Sequence, residues 1–345
     1  MAKNRVTLQD IAAACGLSRN TVSKVFNSRG TVPESTRQQV LTKAREMGYF
    51  SMLETEPVDV AANSAPRSIA VFSRSNSLNH NFALLFLKGF TDTVCRMGYV
   101  VQMYELCEEE LKGLQLPQKL ALDNTVGILG IELFDKDYIH YLCGLGIPTI
   151  MADCYYGVQQ TMLPCDVISM ENYASTKVIT EQTIDAGAKT LGFVGDIHHC
   201  NSFYDRWGGF CTALRTHGIK VDRQVCIHEK DGAQYSDVKW LEEHLRNMPS
   251  LPDAFVCAND YLAVRLMLTL KTMGYSIPED IMVAGFGNSA ELSIFDTGLT
   301  STEIPSTEMG ISSARMLLER CEEKGRPYAL VYLQAKPLFR GSTKR

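Results

Sequence analysis

The sequence predicts two architectures in one chain: an N-terminal all-α head of helix-turn-helix type, then an α/β body of two lobes, each on a parallel sheet. Three observations predict this. The first fifty residues are basic while the rest of the chain is acidic. Within that basic stretch, two short amphipathic segments flank Gly16. From Ile69 onward, short apolar runs alternate with segments of helical period.

In the head, Thr7 is placed to cap a helix over residues 8–14, and Leu8, Ile11, Ala12 and Cys15 recur on one face. Gly16 tolerates positive φ and lets the chain turn sharply. Leu17 fills the corner and Ser18 caps a second helix over 19–26. Val22, Val25 and Phe26 then point inward, leaving Arg19, Asn20, Ser23 and Lys24 outside. A third helix is expected over 34–47, from Pro33 to a stop at Gly48, with Val40, Leu41, Ala44 and Met47 inward. A short helix with basic and amide side chains in its first turn suits the DNA major groove. Arg bonds a guanine edge and Asn an adenine edge, each in bidentate fashion. Residues 1–50 hold eight Lys/Arg and three acids, a charge of +5, while the remainder carries 26 basic and 36 acidic residues, or −10. That asymmetry places phosphate contacts at one end of the chain.

In the body, strands are expected at 69–72, 100–103, 126–131 and 149–152, and in a second set at 191–194, 254–258 and 281–286. Helices are expected at 82–97, 173–186, 261–273 and 309–323. This βαβ order implies parallel sheets covered by helices, with ligands bound beyond the carboxyl ends of the strands, between the lobes. The organisation is therefore a head over 1–50, a linker over 51–67 and a two-lobed body over 68–345. Arg206 offers a planar five-donor fork, and Asp260, after a strand end, a carboxylate acceptor; together they suit a hydroxyl-rich ligand. The plainer readings are a surface arginine and an aspartate that merely caps the next helix.

No early segment has the apolar core of a secretion signal, and no run of about 18 apolar residues offers a membrane span, so the expected compartment is the cytoplasm. The 11 cysteines include no Cys-x-x-Cys pair, so reduced buried thiols are expected rather than disulfides or zinc. His198-His199-Cys200 is the one ligand-like cluster, and no metal or cofactor is expected. Gly285-Phe286-Gly287-Asn288-Ser289-Ala290 formally matches a dinucleotide fingerprint, but it falls late and without an early βαβ unit. No catalytic constellation converges, which excludes the common enzyme classes.

The head resembles that of LacI/GalR regulators. The resemblance lies in Val6-Thr7-Leu8-Gln9-Asp10-Ile11-Ala12, Gly16-Leu17-Ser18, Thr21-Val22-Ser23-Lys24-Val25, Asn27, Thr36-Arg37 and Gly48-Tyr49. Val126-Gly127-Ile128-Leu129, Ile147-Pro148, Glu171-Asn172, Arg206, Gly209-Phe210, Ala258-Asn259-Asp260, Pro278-Glu279-Asp280, Leu299-Thr300 and Arg340-Gly341-Ser342-Thr343 extend it through the body. The resemblance implies the bilobed fold of periplasmic sugar-binding proteins and a DNA-binding transcription regulator, repression being the family default. It implies base reading by Arg19, Asn20 and Lys24 and phosphate contacts by Thr7, Ser18, Thr21 and Asn27. It also places Arg206 and Asp260 in an effector cleft, with Asn79, Phe82, Asp153 and Phe295 as further cleft residues and a sugar as the expected effector. A homodimer on a roughly palindromic operator follows, without a heptad tail to build a tetramer.

Two departures stand out. The linker lacks the family's hinge motif and carries Glu54, Glu56 and Asp59, leaving Leu53 as the one candidate for a minor-groove wedge. After the strand at 281–286, Gly287-Asn288 stands where the family has an acidic pair. The alternative left open is a dimeric regulator whose cleft has lost its ligand; a transport-related solute-binding protein is decided against, since it would need a secretion signal and have no use for the head.

Overall fold

The computed structural model describes residues 7–26, 33, 35–36, 39–40, 42–43, 67–74, 81–158, 163–230, 233–289 and 298–344. The chain divides into two compact units, Met1–Ala65 and Pro66–Arg345.

In the first unit, α1 (Leu8–Cys15) opens with a reciprocal cap: the Asp10 N–H donates to Thr7 Oγ1, and the Thr7 N–H donates to Asp10 Oδ2 at 2.8 Å. Gly16 ends α1 at φ 67°, the left-handed conformation its sequence position calls for. Ser18 then caps α2 (Arg19–Phe26), its Oγ accepting the Thr21 N–H at 3.1 Å. Ile11, Ala12, Val22 and Val25 are buried where α1 packs on α2, while Arg19, Asn20 and Lys24 are exposed. Residues 35–36, 39–40 and 42–43 are helical and Val40 is fully buried, as expected of a third helix. The linker and its Leu53 lie outside the described residues.

The second unit holds two parallel sheets. The larger has the order β10-β5-β4-β3-β1-β2, from β1 (Ser68–Arg74), β2 (Val100–Leu106), β3 (Thr125–Ile131), β4 (Thr149–Ala152), β5 (Asp166–Met170) and β10 (Leu330–Leu333). The smaller is β6 (Leu191–Val194), β7 (Ala254–Cys257) and β8 (Met282–Ala284), in that order. An antiparallel pair, β9 (Ser301–Glu303) with β11 (Lys336–Leu338), completes the strands.

Alternation along β1 shows why the large sheet needs two helical layers. Ile69 and Val71 join one core with Phe86 and Phe90 of α3 (Asn81–Arg96) and Met309 and Leu317 of α10 (Ser306–Glu322). Ala70 and Phe72 face the other, with Tyr138, Ile139 and Leu142 of α5 (Lys136–Gly144); Leu111 of α4 (Glu108–Gly113) belongs to it too. The second lobe packs Phe193, Trp207, Phe210, Phe255 and Leu266 into a separate core. Its helices are α6 (Tyr173–Asp185), α7 (Asn201–Thr216), α8 (Val238–Asn247) and α9 (Asp260–Thr272).

All seven predicted strands and four predicted helices form. Four strands were not anticipated: β5, β9, β10 and β11. They matter because the chain leaves the first lobe after β5, builds the second, and returns through β9 so that α10 packs on α3 and β10 pairs with β5. The return is locked by Arg320, which donates from Nε and Nη2 to Asp166 Oδ2 and Oδ1 at 2.9 and 2.7 Å, both side chains buried. No helix among the described residues is long and apolar enough to cross a membrane.

Candidate functional site

In both sheets the carboxyl ends of the strands lead into polar residues that meet between the lobes. Asp153 follows β4, Asp196 lies just beyond β6, and Asn259 and Asp260 lie beyond β7. The lobes touch here: the Asn201 N–H donates to the Cys154 carbonyl at 2.9 Å, and the Phe134 ring meets His199 at 5.1 Å, edge to face. The Tyr156 ring meets His198 likewise at 4.7 Å, so the two adjacent histidines pack on aromatic rings of the first lobe.

Arg206 is the centre of this site. It sits on α7 and is only 4% exposed, which overturns the plain surface reading. Its Nε donates to Asn172 Oδ1 at 2.9 Å and its Nη1 to the Ala258 carbonyl at 2.6 Å, and the guanidinium lies 3.7 Å from the centre of the Phe286 ring. Burial pulls its pKa down to about 10, opposed by the negative charges of Asp153, Asp260 and Asp205 around it.

Asp260 is buried and holds a loop rather than capping α9; Asn259 does the capping, its Oδ1 accepting the Leu262 N–H. The Asp260 carboxylate accepts the Ser301 hydroxyl at 2.6 Å and the Ser289 N–H at 2.8 Å. Burial raises its carboxyl above the ordinary range, against those hydrogen bonds and the attraction of Arg206. Gly285 is required beside it, since a Cβ there would lie 2.3 Å from Asp260 Oδ1. The N–H groups of Gly285 and Gly287 donate to the carbonyls of Thr300 and Thr302, at 2.9 and 2.8 Å, so this glycine loop does not present them to a pyrophosphate.

Asp153 enters from the first lobe, buried at φ 62°. Burial raises its carboxyl, partly offset by hydrogen bonds from Ser202 and the Cys154 N–H. The structure thus brings Asp153, Arg206 and Asp260 together. Phe82 is half-buried against Phe86, on the core that also contains Phe286. Asn79 and Phe295, and Asn27 in the head, lie outside the described residues.

Sequence reasoning missed Glu132, Asp205, Asn172 as an Arg206 partner, and Phe286 as its ring platform. Glu132 had a legible signal: it directly follows β3, as Asp153 follows β4. Burial, then the charge of Asp153, pushes its carboxyl up to about 8. Asp205, hydrogen-bonded by Asn201 at 2.9 Å, is raised to about 6 by burial and by Asp153.

In the head, the Thr7 hydroxyl donates to Asp10 Oδ2 at 2.7 Å, and the Ser18 and Thr21 hydroxyls lie 2.9 Å apart. The three hydroxyls expected at phosphates therefore also shape the helix starts, and the exposed Arg19, Asn20 and Lys24 share α2.

Comparison with known proteins adds to this geometry. Residues 7–51 match the family described as bacterial regulatory proteins, lacI family, and residues 180–343 match the periplasmic binding protein-like domain. The chain belongs to the LacI family. This LacI-family protein is 23% identical over 313 residues to the ribose operon repressor of Bacillus subtilis (strain 168), covering 90% of each chain. Its fold matches the transcriptional regulator CelR in complex with cellobiose, at a TM-score of 0.71 and 23% identity, over 98% of this chain and 100% of that one. It also matches the lac repressor dimer bound to operator and an anti-inducer, at a TM-score of 0.65 and 20% identity, over 99% and 100% of the two chains. A LacI-family protein is a DNA-binding transcription regulator and not an enzyme, so the dinucleotide reading of the Gly285 loop falls away.

Proposed function

We propose that this regulator acts in the cytoplasm as a homodimeric repressor whose DNA affinity is set by a small hydroxyl-rich effector, of the sugar type, held between its lobes. The observation that carries this reading is Arg206, buried beyond the strand ends and surrounded by Asp153 and Asp260, in a chain whose relatives include proteins named for ribose and cellobiose. A buried fork of donors between carboxylates is expensive to maintain without a purpose. It suits hydroxyls that both donate and accept.

Arg19, Asn20 and Lys24 on α2 read base edges, and Thr7, Ser18, Thr21 and Asn27 contact phosphates. Dimerisation uses the first lobe, where Leu84 and Leu85 of α3 and Val100 and Met103 of β2 are exposed apolar side chains on two elements that pack together. An effector acts by binding one inter-lobe arrangement better than the other.

A thermal-melting screen against ribose, cellobiose and related sugars, followed by operator binding with and without the stabilising compound, tests the reading. A compound that raises the melting temperature should shift operator affinity in the wild type and not in Arg206→Lys. A stabilising compound that leaves operator affinity unchanged would refute effector control.

A further inference from the structure

Glu132 stands at the carboxyl end of β3, two residues before Phe134, whose ring reaches His199 of the other lobe. Its neighbour across the sheet is set by register: Ile131 pairs with Ala152, so the next residues along, Glu132 and Asp153, lie side by side. Among the described residues, Glu132 Oε2 is buried with no hydrogen-bond partner. The charge acting on Glu132 is that of Asp153, which in turn acts on Asp205 and faces the guanidinium of Arg206. Arg206 already spends Nε on Asn172, Nη1 on Ala258 and its face on Phe286. Resting on the effector reading above, we propose that the cleft's ligand carries a protonated amine, seated between the carboxyl groups of Glu132 and Asp153.

The physical argument is one of unmet charge. Two buried carboxylates on adjacent strand ends repel, and only a proton or a cation relieves that repulsion. Without a ligand, the proton does so: the Glu132 carboxyl is held at about 8 and is mostly neutral at pH 7. A neutral hydroxyl would satisfy Oε2 but leave Glu132 dependent on its proton. An ammonium group does both, donating hydrogen bonds to Oε2 and neutralising the pair. The exchange balances as Glu132–COOH plus R–NH3+ giving the Glu132 carboxylate paired with R–NH3+, plus one released H+. An amino sugar combines this group with the hydroxyl-rich character proposed for the effector.

The test uses the full chain and matched probes: glucosamine with glucose, galactosamine with galactose, mannosamine with mannose, plus N-acetylglucosamine, ribose and cellobiose. Melting temperatures are followed by calorimetric titration in two buffers of different ionisation enthalpy. The expected result is stabilisation by an amino sugar beyond its neutral partner, with release of about one proton. Glu132→Gln, which keeps the shape, should then weaken amine binding about thirtyfold or more. Stabilisation by a neutral sugar equal to or above that of its amine, unaffected by Glu132→Gln, overturns the ligand class while leaving effector control standing. Failure of every probe to stabilise the protein overturns both readings.

Discussion

Glu132 and Asp153 are equivalent residues of adjacent strands, each the first beyond its strand's carboxyl end and each in the left-handed region, at φ 49° and 62°. Two carboxyl groups so placed must titrate in response to each other. Burial and the Asp153 charge lift Glu132 from its ordinary 4.5 to about 8, so the folded protein binds a proton there that the unfolded chain releases.

The sign of the resulting pH dependence follows. Between about 4.5 and 8 the native state holds the extra proton, so stability falls as pH rises through that window, by up to about 1.4 kcal/mol per pH unit from this group. Asp205, raised to about 6, adds to the slope only in the lower part. Urea unfolding at pH 6, 7 and 8 should show the decline, and Glu132→Gln should flatten it and be the more stable form at pH 8. An unchanged slope in that variant would assign the titration elsewhere.

Arg206→Ala removes the cation that faces Asp153 and Asp260 and strands the Asn172 Oδ1 and Ala258 carbonyl acceptors. The cost should be about 3–5 kcal/mol. Chemical denaturation monitored by tryptophan fluorescence is suitable, because Trp207 is the next residue on α7. A loss below about 1 kcal/mol, the scale of a surface pair, would contradict the buried arrangement.

Asp166 and Arg320 tie the returning chain to β5. Arg320 also donates to the carbonyl of Pro327, and the Ala329 N–H donates to Asp166 Oδ1, each at 2.9 Å. Asp166→Asn leaves the buried guanidinium without its counter-charge and should cost about 3 kcal/mol or more. Hydrogen exchange should show loss of protection concentrated in β10. Uniform loss across both lobes would instead mean that β10 unfolds only with the whole body.

Arg19→Ala and Asn20→Ala should each weaken operator binding by about 1–3 kcal/mol and relax the base choice at one position per half-site. Selection from random DNA should recover a palindrome with the wild type. Variants whose selected sites match the wild type at every position would exclude α2 as the base-reading helix.

Much of this protein is written locally. Thr7, Gly16 and Ser18 specify helix starts and stops through hydrogen bonds within a few residues, and alternation along β1 assigns its two faces without knowledge of the neighbours. The charge split and the head motif likewise determine, from sequence alone, a DNA-binding head on an acidic α/β body. Arg206, Asp260 and Asp153 were legible as candidates because each carries strong hydrogen-bonding chemistry close to a predicted strand or family motif.

Only the tertiary structure decided what those residues touch. The return of the chain after β9 depends on an ion pair between Asp166 and Arg320, 154 positions apart, which no local pattern announces. Leu330-Val331-Tyr332-Leu333 is an apolar run that sequence alone leaves unassigned; only the fold pairs it, as β10, with β5. The pairing of Glu132 with Asp153 needs the register of β3 against β4, and the proton held there needs the burial that the tertiary fold provides. Sequence sets which groups are available; register and burial set their distances and dielectric surroundings, and those govern charge.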